Sequence, residues 1–284
     1  MSKVGIVTDT ISCLPKELVK QYGIRIVPTG LVIDGKVYRD DELSNEEFWK
    51  LFYAAKEQTT TNAATPGDFA AVFEELAKST DSIVTIVVSK ALSATHQAAV
   101  QGSEMVREKH PELKIEVIDS KTAAGAEGFI VLEAARAAEA GKSLEEVVQV
   151  AKEMIPKVKF VTAMDTLKYL IRSGRAPKTA IIGDVLQVKP IIGMVSGTGL
   201  VESLGRARGK RKALAKLVEM AKEHIDPNKP VHVMFHYTDG IAASEELKKM
   251  VTSELKCAEM YTTPYTPVMA SSTGPVVAMS FYSD

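Results

Sequence analysis

Cysteine is scarce in this 284-residue chain: Cys13 and Cys257 are the only two, far apart and in no C-x-x-C spacing. That excludes a disulfide framework and a cysteine-built zinc site, and it fits a reducing compartment. Net charge is scarce as well, because 35 basic and 36 acidic side chains nearly cancel. The chain as a whole offers no field for nucleic acid, and that partner class is set aside. Long apolar runs are missing: AIIGDVLQVKPIIGMV is cut by Asp184, Lys189 and Pro190, well short of the roughly 20 residues that span a bilayer. No transmembrane segment is expected. The opening MSKVGIVTDT enters a strand-like run without the apolar stretch of a signal peptide, so a cytoplasmic protein is expected. Phosphate-binding glycine loops are also lacking. SGTGL at 196–200 has no Walker lysine and reads as a hairpin turn, and GRARGK at 205–210 departs from the Rossmann spacing.

What is present is a chain with 45% hydrophobic residues, enough for one large or two medium cores. Up to about residue 155, β-branched runs (KVGIVTD, IRIVPTGLVI, SIVTIVVS, KIEVID) alternate with helical patterns, the signature of an α/β fold. The unbroken apolar character of IVTIVVS predicts a parallel strand covered on both faces. Pro156 closes a helix over SLEEVVQVAKEMIPKV, and a second α/β unit begins at FVTAMD. Two α/β domains, 1–155 and 156–284, are therefore expected, with a mostly parallel sheet in the first. In the second, strands are predicted at PIIGMV, GLVESLGRA, VHVMFHY, AEMYTTPY and VVAMSFY. Ser44 with Glu47 reads as a capping box, and Thr65-Pro66-Gly67-Asp68 as a helix start.

Parallel sheets bind ligands beyond the carboxyl ends of their strands, which directs attention to Asp9-Thr10, Ser89-Lys90 and Asp119-Ser120. Asp9 could be a phosphoryl-transfer nucleophile, but capping of a helix over ISCLPKELVKQYG is the preferred reading. His232 and His236 lie on one strand roughly 13 Å apart and cannot share a metal there. His96 stands beside Ser93 and Thr95 with no adjacent acid to complete a triad. RARGKRK packs Arg206, Arg208, Lys210, Arg211 and Lys212 into seven residues; a solvated helix start and a docking surface for an anionic partner remain equally open. The uncharged hydroxyl loops TTTN, SKALSAT and SSTGP can offer O–H and N–H donors to an anion without a strong base, which favours binding over turnover.

The ordered set VTDT, VPTGLVIDGKVYRDD, TTTNAATPGDF, VSKALSATHQAA, DSKTAAGAEG, YLIRSGRA, KPII and STGP resembles the DegV family over essentially the whole chain. The resemblance implies two α/β domains of the EDD fold, with a long-chain fatty acid bound between them and no cofactor. It further implies a non-catalytic subunit that presents the acyl carboxylate to a separate, dihydroxyacetone-kinase-like fatty acid kinase subunit, in a role connected to phospholipid synthesis. Such a carrier leaves room for transient contact with a membrane surface.

Residue by residue, the family's T-S-Q-P-S falls on Thr61-Asn62-Ala63-Ala64-Thr65, and its L-S-G-T-Y-Q-S-A on Leu92 to Ala99. Thr61 and Ser93 are thereby the implied carboxylate ligands, with Asn62 and His96 beside them, and Arg175 of the G-R pair is the implied head-group support. The family's H-T-G-P reads Ser272-Thr273-Gly274-Pro275 here, so Ser272 and Thr273 stand where a histidine would lead. A serine hydroxyl reaches less far than an imidazole and carries no charge. Arg206, Arg208 and Arg211 are the expected kinase-docking residues. A binder of a different amphipathic acid, or a small hydrolase or phosphatase using Asp9 or Ser93, remains the alternative.

Overall fold

The computed structural model describes residues 3–177 and 187–284. Asp184 lies outside them. Strand β1 (Gly5–Asp9) runs into a one-turn 3-10 helix (Thr10–Ser12), followed by α1 (Lys16–Tyr22), β2 (Arg25–Val27), β3 (Gly30–Ile33), β4 (Lys36–Arg39) and α2 (Asn45–Ala54). Next come β5 (Thr60–Asn62), α3 (Pro66–Leu76), β6 (Ser82–Val87), α4 (Thr95–Arg107), β7 (Lys114–Asp119), α5 (Ala124–Glu139) and α6 (Leu144–Met154). The rest is β8 (Lys159–Met164), α7 (Lys168–Arg172), β9 (Val188–Met194), β10 (Glu202–Arg208), α8 (Lys210–His224), β11 (Val231–Tyr237), α9 (Ala242–Glu254), β12 (Cys257–Pro264), α10 (Pro267–Thr273) and β13 (Val276–Ser283).

β2-β1-β6-β7 form a wholly parallel sheet. The six-stranded sheet β10-β9-β8-β13-β11-β12 is antiparallel except for its β11–β12 pair. β4-β3-β5 make a small antiparallel sheet. Two-residue alternation along the strands separates the core into layers. In β1 and β6, Ile6, Val84 and Ile86 face one way, whereas Val7, Ile83 and Val87 pack against Phe69 and Phe73 of α3 and Ala98 and Ala99 of α4. In the larger sheet, Phe160, Ile192, Met194 and Met234 join the same core as Ile6, while Val161, Ile191, Val233 and Phe235 pack against Leu214 and Leu217 of α8 and Leu247 of α9. Between the sheets lies α5, in contact with β1 and β6 on one side and with β8, β11 and β13 on the other. Its sequence is apolar around nearly its full circumference, and Phe129, Ile130, Val131 and Leu132 are all fully buried.

The capping box at Ser44–Glu47 forms as expected, and Thr65 caps the helix that Pro66 opens, where Asp68 also closes a second capping box that the sequence reading did not name. Several local readings change. IRIVPTGLVI is two strands in two different sheets, because the chain turns at Pro28-Thr29, where Thr29 O accepts from Asp40 N at 2.9 Å instead of continuing a ladder. Asp9 caps the 3-10 turn rather than the helix beyond it, since Pro15 delays α1 to Lys16. TTTN is no free loop: Thr60–Asn62 pair with β3 as an edge strand. The hairpin reading of SGTG holds: it lies in the 195–201 connection between the antiparallel strands β9 and β10, organised by Glu202, whose Oε1 accepts from Val195 N, Ser196 N and Ser196 Oγ.

Candidate ligand-binding site

A cavity of about 730 Å3, open mouth included, lies between the two large sheets. Its wall is mostly apolar. The strand pairing Phe160↔Met194 and Thr162↔Ile192 lays these four side chains on the inner face of the large sheet, and Ile11, Val88, Leu170 and Val268 add to them from other elements.

Thr61, Asn62, Ser93, Arg175, Ser272 and Thr273 also line it. Arg175 draws most of them into one cluster. Its Nε donates to Leu92 O at 2.9 Å, beside Ser93, while Nη1 lies 3.5 Å from Ser272 Oγ and Nη2 3.4 Å from Thr61 Oγ1. The last two are at the far limit of hydrogen bonding and leave the guanidinium edge underused. Among the described residues no carboxylate pairs with Arg175, and burial alone pulls its pKa below the usual arginine range. A desolvated cation without a counter-charge is unfavourable by itself, so this end of the cavity is electrostatically suited to an anion.

The hydroxyls are held in different ways. Ser93 Oγ shares a 2.8 Å hydrogen bond with Thr95 Oγ1 and accepts from Thr95 N at 3.2 Å. Thr273 Oγ1 is satisfied locally by Met269 O at 3.0 Å and Gly274 O at 3.1 Å. Ser272 and Thr273 end α10, a short helix that Asp40 anchors by accepting from Val268 N at 2.8 Å. Gly274 follows with φ +68°, and a Cβ there would stand 2.2 Å from the Tyr169 ring. Only glycine permits that approach, which seats α7, and with it Leu170, against the end of α10.

The structure leaves other sequence candidates outside the cavity. His96 sits half-buried in the first turn of α4, away from the lining; burial lowers its pKa despite the nearby Asp119 charge. Arg206 and Arg208 lie on β10, an edge strand, and Arg211 in the first turn of α8, all three exposed. Asp9 is fully buried behind the wall and does not reach the lining. His232 is held between carboxylates, Nδ1 2.9 Å from Glu259 and Nε2 3.0 Å from Asp284, and His236 accepts at Nε2 from Gly125 N at 3.0 Å. Burial drives the His236 pKa down to about 3, so it stays neutral. Sequence reasoning had no means of naming Thr29, Phe160, Thr162, Leu170 or Met194 as lining residues. The alternation along KFVTAM and VKPIIGM was the one available signal, and it does not say which face meets a cavity.

These features define a two-domain α/β protein with a mostly apolar cavity open between its sheets. The chain belongs to the DegV family, whose sequence profile, described as "Uncharacterised protein, DegV family", matches residues 3–284. A DegV domain-containing protein of Caldanaerobacter subterraneus subsp. tengcongensis is 36% identical over 286 residues, spanning 100% of both chains. The structure superposes on a Thermus thermophilus DegV family protein described by its fatty acid binding, with a TM-score of 0.91, 29% identity and 100% of both chains covered. It also matches Bacillus subtilis DegV, described as a fatty acid binding protein, with a TM-score of 0.87 at 25% identity over 100% of both chains.

Proposed function

We propose that this protein is a non-catalytic carrier of a long-chain fatty acid. The carboxylate sits at Arg175 with Thr61, Ser93 and Ser272, and Asn62 and Thr273 complete the polar rim. The observation that carries this reading is the half-buried guanidinium that has no carboxylate partner among the described residues, at a mostly apolar cavity. The descriptions of the Thermus and Bacillus relatives as fatty acid binders support it. Each methylene buried in such a wall contributes about 0.8 kcal/mol, so a long tail is retained even where Ser272 replaces the family's histidine. The two domains divide at 155/156 on this reading, with the ligand between them.

The carrier presents the carboxylate to a separate kinase subunit, and the exposed cations Arg206, Arg208 and Arg211 are its docking surface. Neutralising the three together is expected to weaken capture of that subunit while leaving lipid content unchanged; an undiminished complex would refute the docking role. A hydrolase using Asp9 or Ser93 is disfavoured by their partners. Asp9 is engaged by two backbone N–H groups, and Ser93 by Thr95 rather than a histidine. The deciding experiment is native mass spectrometry of the purified chain, followed by denaturing extraction. A stoichiometric fatty acid is expected; a protein that is empty and takes up no added fatty acid would overturn the carrier reading.

A further inference from the structure

Three residues of the cavity wall, Ile11, Val88 and Val268, come from three separate segments, and each donates its backbone N–H to a buried carboxylate. Asp9 Oδ1 accepts from Ile11 N at 2.7 Å, its Oδ2 accepts from Val88 N at 3.0 Å, and Asp40 Oδ1 accepts from Val268 N at 2.8 Å. Asp9 is 0% and Asp40 3% exposed, and neither lines the cavity itself. A fourth lining residue, Thr29, is tied to the same region through the 2.8 Å contact between Thr10 Oγ1 and Thr29 Oγ1. These N–H groups lie where regular pairing stops. Val88 follows β6, Ile11 is in the 3-10 turn, and Val268 is in the first turn of α10, so none has a ladder or helical acceptor.

We propose that Asp9 and Asp40 are positioning residues of the ligand site, clamping the wall segments at 11, 88 and 268, and that protonation of Asp9, whose two oxygens are both engaged, releases one of its two segments while Asp40, with Oδ2 free to take a proton, keeps its hold on Val268. The proposal rests on the fatty-acid reading. A carboxylate offers two acceptor oxygens, so Asp9 satisfies both of its N–H donors. A protonated carboxyl offers one acceptor and one O–H, leaving one wall N–H facing a donor. Asparagine has the same deficit, which makes Asp9→Asn a fixed copy of the protonated state.

The surroundings bring this proton into the physiological range. Burial pushes Asp9 up to about 7, against the pull of the Val88 and Ile11 N–H groups and with help from the Asp40 charge. Burial likewise takes Asp40 to about 6, opposed by hydrogen bonds from Thr10, Val268 and Thr266, and raised slightly by Asp41. Facing Asp9 from α5 is Glu127, held well above the carboxylate range by burial and by the Asp9 charge, with Asp119 a smaller contribution. Cys13, raised by burial, completes the set. Among the described residues no cation forms an ion pair with Asp9, Asp40 or Glu127, whereas Asp119 pairs with Lys90 at 3.9 Å and Asp41 with Arg39 at 3.3 Å. Because burial favours the protonated folded form, overall stability should rise as pH falls through about 7. Ligand retention should move the opposite way, and a purely structural role would not separate the two.

The test is the dissociation rate of cis-parinaric acid, a fluorescent long-chain fatty acid, from pH 8 to 5.5. It is read alongside thermal stability and amide exchange at Ile11, Val88 and Val268, corrected for intrinsic rates. The wild-type rate is expected to rise about tenfold on acidification, the scale of losing one hydrogen bond to a charged acceptor. Asp9→Asn should be fast at pH 8 and lose most of that dependence, keeping only what titration of the ligand itself supplies. An Asp9→Asn variant with the wild-type rate and profile would overturn the proposal. Should that variant not fold, wild-type exchange decides: selective loss of protection at Ile11 or Val88 on acidification, with Val268 retained, supports the clamp, and unchanged protection at Ile11 and Val88 refutes it. If no fatty acid binds at any pH, the carrier reading fails, and the exchange data still decide whether the clamp exists.

Discussion

Arg136, on α5, meets the carboxylates of Glu133 and Glu259, whereas Arg175, beyond α7, meets only neutral oxygens among the described residues. Both side chains are half-buried where segments from the two parts of the chain come together. Around Arg136 the network is closed. Nη1 donates to Glu133 at 2.7 Å and to Glu259 at 3.1 Å, Nη2 donates to Glu259 as well, and Tyr282 Oη donates to Glu133 at 3.0 Å. Burial acts to lower the Arg136 pKa, but the hydrogen bonds it donates, those to Glu259 foremost, raise it above the usual range. For Arg175 only burial acts, and its pKa falls. One arginine is completed by the fold. The other has no counter-charge among the described residues.

The sharpest test removes each charge in turn. Arg136→Met should destabilise the protein by about 2 kcal/mol, because it leaves two carboxylates without their cation in partly buried positions. Its acyl affinity should be little changed, and a denaturant titration with a parallel binding isotherm reads both. Arg175→Met should do the reverse, costing about tenfold in fatty-acid affinity, or roughly 1.4 kcal/mol, with stability unchanged or improved. If Arg175→Met unfolds the protein while Arg136→Met does not, the contrast collapses and Arg175 is a structural residue.

Acid offers a milder probe. Burial raises the Glu259 carboxyl, but the bonds from Arg136 and His232 outweigh it and bring the pKa to about 2, below the usual value of 4.5. The folded state therefore binds the Glu259 proton less readily than the unfolded chain. The stability contributed by this pair is full above about 4.5 and is lost as pH falls towards 2. Acid unfolding followed by circular dichroism should show that loss in the wild type and its absence in Glu259→Gln. A wild-type and variant curve of the same shape would mean that solvent already screens the pair.

Legibility of the fold followed the range of the interaction. The capping box at Ser44 and the helix start at Thr65 were readable because cap, partner and first turn lie within four residues. The parallel strand at SIVTIV was readable because burial on both faces leaves an unbroken apolar run. The run IRIVPTGLVI looked continuous and was not, since its β2 part pairs with β1 while its β3 part pairs with β4 and β5. Helix α10 escaped detection: PVMASST has little periodicity, and its anchors, Asp40 and Thr59, lie more than 200 residues away in sequence.

The same division applies to the site. Thr61, Ser93, Arg175 and Ser272 came into view through the order of motifs across the whole chain, because no local spacing links positions so far apart. Composition and alternation by themselves determined an α/β protein with two large sheets and hydroxyl-rich loops at strand and helix ends. Those properties depend on residues close in sequence and on the two-residue period of strands. Only the tertiary structure decided that Arg175 lacks a carboxylate partner among the described residues, that Phe160 and Met194 face a cavity, and that Asp9 supports the wall instead of capping α1. Burial, charge pairing and strand register arise from contacts between segments more than 25 residues apart in sequence, and no local pattern encodes them.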